Sequence, residues 1–229
     1  MNYMKVSTFL FLYIFLPVSI FSQANDVGVS YVNAQTIVGV HFNYSISPSG
    51  SLINNGDVYL HKDFNNDGIV DFSVGEQGSF YFTGDQTQYV TGLGSNTYYN
   101  TILNNSNEGI AVVLENKINI KGEFDFLDGI VKKDENGVLV FANNATAINM
   151  SDNSFVVGKV EKQGDDAFIF PIGGHLGSSF FFRPLSISTP NTIRDIFTAQ
   201  YFLKDSNQEY SHLEKEKETL RESLVPLRK

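Results

Sequence analysis

Residues 118–126 read INIKGEFDF, two short runs in which apolar and polar side chains alternate on either side of a single glycine. Alternation with a period of two puts successive side chains on opposite faces of a β-strand, so one face of each run is expected to be buried. Similar runs at 58–60, 80–82 and 138–141 belong to a series that recurs every eight to twelve residues or so, roughly the spacing of all-β folds. The chain is therefore predicted to be all-β.

Short polar segments separate these runs, and most of them end in glycine. The segments are Asn54-Asn55-Gly56, Asp67-Gly68, Asn107-Glu108-Gly109, Asp128-Gly129 and Asn136-Gly137. Asparagine, aspartate and glycine tolerate positive φ, so each segment is predicted to turn the chain. Because a degenerate repeat of about twenty residues accompanies them, a parallel β-solenoid is predicted, in which each turn buries its apolar side chains against the next. A β-sandwich throughout the chain is the structural alternative.

The first 22 residues are predicted to be a secretory signal peptide. Lys5 precedes an apolar run that ends near residue 21, and small residues follow at Ser22 and Ala24. A basic start, a short apolar middle and a small-residue exit describe a cleavable leader, since a membrane span needs about twenty apolar residues. Cleavage is expected after Ser22 or Ala24.

Three further segments are predicted after the leader. Residues 23–150 form the β-solenoid repeat region, and residues 151–205 form a β-rich cap or small sandwich with longer strands broken by Pro171 and Pro184. Residues 206–229 form a charged, helix-like tail, expected to be either a solvated tail or the truncated edge of a longer protein.

Composition excludes several classes of function. The chain has no cysteine, which removes disulfides, thiolate zinc sites and cysteine nucleophiles. Its 16 basic and 25 acidic side chains give a net charge of -9, which repels nucleic acid, so no nucleic-acid partner is expected. No apolar run after the leader approaches spanning length, so the mature chain is predicted to have no transmembrane segment.

Residues 63–71 read DFNNDGIVD and carry the sharpest local motif. Oxygen-bearing side chains stand at loop positions one, three, five and nine, namely at Asp63, Asn65, Asp67 and Asp71. Gly68 stands at position six, as in calcium loops, and this pattern predicts calcium as a cofactor. Position twelve is Val74, which cannot supply the usual bidentate carboxylate. The alternative is a turn between strands with solvated carboxylates.

Catalytic chemistry is only weakly signalled. The histidines, none of which has the spacing of a metal-ligand pair on a helix, are His41, His61, His175 and His212. His61 and Asp63 occupy alternate positions of one run and would face the same side. A carboxylate pair drawn from Asp57, Asp63, Asp67 and Asp71 is the basis for an alternative, an exported β-helix carbohydrate-active enzyme. Because exposed carboxylates are the rule, the chain is predicted not to be an enzyme.

Aromatic residues are open to two interpretations. Those in question are Tyr89, Tyr98, Tyr99 and residues 180–182. They either fill the core of the β-fold or form a platform on which sugar rings stack, and core packing is favoured because aromatic side chains commonly fill β cores.

A succession of sequence blocks resembles a known family. The blocks are 63–71, 78–84, 88–92, 98–105, 128–131, 137–141, 154–160, 168–173 and 183–187. Their order is similar to the repeat-bearing region of Bacteroidetes cell-surface proteins, large adhesin-like chains exported by type IX secretion and often bearing gliding-motility-associated C-terminal domains. The resemblance covers roughly residues 56–202 and implies that this chain is the N-terminal portion of such a protein.

The resemblance and the composition together give one functional expectation. The chain is expected to be a secreted or outer cell-surface, non-enzymatic module for structure or adhesion, with a glycan or a protein at the cell surface as its partner. The β-helix enzyme and a calcium-stabilised binding module are the alternatives.

Overall fold

The alternating runs of the sequence form short strands, and most of these pair in parallel with the corresponding strand one turn later. In the computed structural model, which describes residues 23–203, the strands wind into a β-solenoid of about seven turns without any helix. The predicted all-β parallel solenoid is thus confirmed. The predicted signal peptide lies outside the described residues, as does the predicted tail at 206–229.

Within the described residues the strands are short and follow one another closely. In chain order they are β1 (Gln23–Asp26), β2 (Val29–Val32), β3 (Ile37–Val40), β4 (Asn43–Ile46), β5 (Ser51–Asn54), β6 (Asp57–Leu60), β7 (Phe64–Asn66), β8 (Ile69–Asp71), β9 (Ser79–Gly84), β10 (Gln88–Thr91), β11 (Ser95–Tyr98), β12 (Asn100–Asn105), β13 (Ile110–Leu114), β14 (Lys117–Ile120), β15 (Glu123–Lys133), β16 (Val138–Phe141), β17 (Thr146–Ile148), β18 (Ser154–Val157), β19 (Val160–Gln163), β20 (Phe168–Phe170), β21 (Ile172–Leu176), β22 (Ser179–Phe182), β23 (Leu185–Ile187) and β24 (Ile196–Ala199).

Each turn of the solenoid, here called a rung, adds one strand to each of three parallel sheets. Sheet A runs β1-β4-β7-β10-β13-β15-β18-β21, sheet B runs β2-β5-β8-β11-β14-β16-β19, and sheet C runs β3-β6-β9-β12-β15-β17. The long strand β15 belongs to two sheets because it bends at Asp128 and Gly129, where φ of Gly129 is 112°. This predicted turn is therefore a corner that the chain passes without leaving the strand.

The interior is built from columns of side chains that repeat from rung to rung. In sheet C one inward column is Val38, Val58, Phe80, Thr101 and Phe124. Most members of such columns are almost fully buried, and Val58 and Phe80 are each 1% exposed. Since a buried apolar side chain of this size contributes about 1.5–3 kcal/mol, these columns supply most of the stabilisation.

The C-terminal end of the solenoid is covered by antiparallel strands. β22 pairs with β21, β23 with β20 and β24 with β19, all in antiparallel register. The predicted boundary at residue 150 falls between β17 and β18, and parallel pairing continues beyond it as far as β21. The strands that close the end therefore all lie in the segment predicted to be a cap.

Candidate functional site

The four residues of the predicted calcium motif lie on two sheets. Asp63 directly precedes β7 and Asn65 lies within it, so both follow sheet A, and Asp67 stands at the next corner. Asp71 is the last residue of β8 and therefore belongs to sheet B. The structure brings Asp63, Asn65 and Asp67 together along one line. It places Asp71 on the other side of the corner between β7 and β8.

Side-chain oxygens of this line bind the next rung. Three hydrogen bonds do so: Tyr89 N–H to Asp63 Oδ1 (2.9 Å), Thr91 Oγ1–H to Asn65 Oδ1 (2.8 Å) and Leu93 N–H to Asp67 Oδ1 (3.0 Å). Asp67 also accepts a hydrogen bond from Asn65 Nδ2 at 2.9 Å. The Asn65 amide, followed by the Leu93 N–H, lowers the pKa of Asp67 from its usual value. These hydrogen bonds connect two successive rungs.

The same hydrogen bonds bear on the calcium hypothesis. Among residues 23–203 no group of three or more histidine, cysteine, aspartate or glutamate side chains is placed to hold a metal ion. Asp71 Oδ1 accepts the N–H of Phe72 at 2.9 Å. Calcium binding stays a prediction, and in this geometry an ion would compete with hydrogen bonds that already engage its proposed ligands.

Three asparagines, the last residues of β5, β7 and β12, are buried at the corners. Asn54, Asn66 and Asn105 are 2%, 0% and 0% exposed. Each side-chain oxygen accepts the N–H of the residue two positions later, which is Gly56, Gly68 and Asn107 respectively. Each Nδ2 donates to a carbonyl in another part of the chain, as from Asn54 to Ser79 O and from Asn105 to Gln86 O. Corners are thereby held from inside the solenoid.

Asn66 is the centre of a buried polar network. Its Nδ2 donates to Ser95 O at 2.9 Å and to Asn96 Oδ1 at 3.0 Å. Asn96 Oδ1 also accepts the hydroxyl of Tyr98 at 3.3 Å. Burial raises the pKa of Tyr98, so its hydroxyl remains a donor at any ordinary pH. The sequence offered no signal for this network, because asparagine is usually a surface residue.

A lysine lies buried near the C-terminal end. The side chain of Lys162 is 0% exposed, and its Nζ donates to Ala142 O at 2.7 Å and to Ala145 O at 3.2 Å. Asp166 lies 2.8 Å away and is 24% exposed. Burial lowers the pKa of Lys162 against the opposing effect of Asp166. Burial alone would raise the pKa of Asp166, but the hydrogen bond from Lys162 and that from Asn144 N–H lower it overall.

A polar cleft opens where the corner between sheets C and A meets the C-terminal strands. It has a volume of about 440 Å³. Its lining includes three carboxylates, two amides and a phenyl ring, from Glu108, Asp128, Asp152, Asn107, Asn153 and Phe180. Asp152 is held by the N–H of Phe182, which donates to Oδ1 at 2.7 Å. This cleft is the candidate site for a ligand.

The lining of the polar cleft suits a hydroxyl-rich ligand. Carboxylates and amides accept and donate hydrogen bonds to hydroxyls, and a phenyl ring packs on the apolar face of a sugar. Of the aromatic residues considered for a sugar platform, Tyr98 is fully buried in the core and Tyr89 is exposed. Phe180 is the one that lines the cleft. The lining therefore combines hydrogen-bonding groups with one apolar ring at one face of the column.

Ring stacks run along the outer face of sheet C. The rings of Tyr59 and Tyr81 stack with centroids 4.0 Å apart, and those of His41 and His61 do so at the same separation. Partial burial, followed by the Tyr59 hydrogen bond, raises the pKa of Tyr81 to about 12. Burial and the neighbouring His41 lower the pKa of His61. His61, considered above with Asp63, is thus stacked on another histidine.

Comparisons of the chain with models of protein families, with curated proteins and with solved structures found no match. Among residues 23–203 there is no helix of the length and apolar character that a membrane crossing requires.

Proposed function

We propose that the chain is a secreted or cell-surface, non-enzymatic module that presents a stiff β column to a glycan or a protein. The observation that carries this proposal is the continuous parallel pairing of three sheets around one packed interior. Each rung satisfies the backbone groups of the next, so the column has no internal hinge among the described residues. A stiff column with side chains in regular outward columns suits display better than turnover.

Contacts between rungs add to the backbone pairing and support the stiffness. Asp63, Asn65 and Asp67 each bind the following rung through a side-chain oxygen. Buried Asn66 and Asn96 join two rungs from the inside. Bending the column would break these bonds at several corners at once, so the module is expected to hold its outward faces in fixed positions.

The polar cleft is the proposed place of contact with a glycan. Its amides and carboxylates supply hydrogen bonds, and Phe180 supplies an apolar face. The carboxylates also support a second candidate, the exported β-helix carbohydrate-active enzyme, because Glu108, Asp128 and Asp152 line one cavity. The two proposals differ in whether a bound glycan is cleaved.

A glycan array with the purified protein tests the proposal. We expect binding that falls at least about tenfold in Asp128→Asn and in Phe180→Ala, which is the loss of about 1.4 kcal/mol. The matched control is Asp85→Asn, an exposed carboxylate outside the polar cleft, which should bind as the wild type does. Absence of binding to every glycan on the array would refute glycan binding at the polar cleft.

Product analysis on the bound glycans separates the two candidates. If incubation releases new reducing ends, and Asp128→Asn abolishes that release without loss of fold by circular dichroism, the enzyme replaces the display module.

Protease treatment of intact producing cells checks the proposed location, because a surface-exposed chain is degraded while cytoplasmic markers survive.

A further inference from the structure

The two ends of the solenoid differ in how they are finished. Antiparallel strands β22, β23 and β24 cover the C-terminal end. At the other end β1, β2 and β3 are the outermost strands of sheets A, B and C, and no described strand pairs with their outer edges. We call this N-terminal edge, residues 23–40, the open end.

Backbone groups at the open end point away from the column. The carbonyls of Gly28 and Val32 accept hydrogen bonds from the next rung. Because N–H and C=O of one residue point to the same side in a parallel strand, Val29 and Tyr31 direct theirs outward. The carbonyls of Thr36 and Val40 likewise accept hydrogen bonds from the next rung, so the backbone N–H and C=O of Ile37 on β3 point away from the column. Such a row of alternating donors and acceptors is a template on which another β-strand can pair.

The side chains that these edge strands carry on their outer faces are also apolar. Val29, Tyr31 and Ile37 are 61%, 65% and 70% exposed, although they are large apolar or aromatic side chains. A cavity of about 220 Å³ penetrates the core behind them, lined mainly by apolar side chains that include Val32 and Val40. Such an edge normally carries lysine, proline or a bulge that prevents pairing, and the strands here carry neither of those residues.

Charge favours a second copy as the partner. The whole chain has a net charge of -9, so two copies repel each other over most of their surfaces. Residues 23–40 contain a single side chain that is charged at neutral pH, Asp26, whose carboxylate accepts the hydroxyl of Tyr44. The open end therefore carries little charge that would oppose the approach of a second copy.

We propose that two copies of this chain join at their open ends, around a two-fold axis perpendicular to the column. Such an axis reverses the sense in which the rungs wind around the column, so the strands that face each other across the junction are antiparallel. One sheet meets its own counterpart and the other two sheets meet each other, which β1, β2 and β3 allow because each is four residues long. The junction closes both apolar cavities and yields one continuous column capped at both outer ends.

Sedimentation of the full chain over a concentration series tests the junction, with mass spectrometry of the same sample to define its N-terminus. We expect dimers that dissociate on dilution. The variant carrying both Tyr31→Lys and Ile37→Lys should require at least about tenfold higher concentration to dimerise, because it charges both edges. The matched control is Ile69→Lys, an exposed outward residue in the sheet B column of Val29, and it should dimerise normally.

Amide hydrogen exchange of the wild type gives a second measurement that does not depend on a variant folding. The amides of Val29, Tyr31 and Ile37 should be protected at high concentration and lose protection on dilution. A protein that is monomeric throughout, including one whose residues 1–22 protect these amides in the monomer, overturns the proposal. Dimers that survive the double substitution, or that Ile69→Lys disrupts equally, overturn it as well.

Discussion

Replacing Asn66 by leucine or by aspartate should separate the two functions of its buried amide. Asn66→Leu removes the acceptor for Gly68 N–H and the donor to Ser95 O and Asn96 Oδ1, and it retains a similar volume. Asn66→Asp keeps the oxygen that accepts Gly68 N–H, but it places a second carboxylate oxygen where the donor to Ser95 O and Asn96 Oδ1 was.

The hydrogen bonds set the magnitude. Three bonds at about 1 kcal/mol each, together with partners left unsatisfied in the interior, predict a loss of about 3–5 kcal/mol for Asn66→Leu. At neutral pH Asn66→Asp should lose at least as much, because burial opposes the charged form. Its folded-state pKa is therefore expected to lie above the unfolded value of about 4, so the native state binds an extra proton and the variant regains stability as pH falls.

Guanidinium denaturation followed by circular dichroism at pH 7 and pH 4.5 measures both effects. The matched control is Asn104, an exposed residue on β12, where the same two substitutions should change the free energy of unfolding by less than about 0.5 kcal/mol. Equal losses at Asn66 and Asn104, or an Asn66→Asp variant whose stability rises with pH, would refute the reasoning.

Three further outcomes are expected. The free energy of unfolding of the wild type should fall as pH drops from about 5 to about 3. The pKa of Asp166 is lowered in the folded state, so its contribution to stability is present above about pH 4 and is lost below it. Thermal melts of Asp166→Asn should show a shallower fall with pH, and at pH 7 this variant should be less stable than the wild type because Lys162 loses its counter-charge. Gly92→Ala should cost about 2 kcal/mol or more in a denaturation series, since φ is +99° and the new Cβ would lie 2.2 Å from a backbone oxygen, while Gly109→Ala, which meets no heavy atom within 4 Å, should be nearly neutral. If calcium binds, millimolar calcium should raise the melting temperature of the wild type and leave Asp67→Ala unchanged; no shift in either would end the calcium hypothesis.

The strands and their winding follow from the sequence, but the dimensions of the rungs do not. Period two specifies a strand with one buried face, and the repeat specifies stacking in parallel. Rung length varies, since Tyr44 pairs with Phe64 while Phe64 pairs with Val90. The difference is taken up at corners and in loops such as 72–78, which carry no periodic signal. Register is therefore set by which side chains pack together, a tertiary property.

The candidate site was less accessible to sequence reasoning. The spacing of Asp63 to Asp71 matches a loop that wraps around an ion, but here the chain changes sheets after Asp67 and carries Asp71 beyond the corner. The polar cleft joins Asn107 to Phe180, residues distant in sequence that only the closed C-terminal end brings together. Asn66 and Lys162 belong to residue types that are rarely buried, so pattern alone assigns them to the surface.

Strand direction has a mechanical consequence. Every strand in the rungs lies across the long axis, so the backbone hydrogen bonds between rungs point along it. Tension applied between the two chain ends would pull along these hydrogen bonds and break them one strand at a time. A sideways or compressive load would instead be shared by many rungs. Pulled by its termini in an optical trap, the molecule should lengthen in successive small steps at low force. It would thereby extend under tension and dissipate mechanical energy.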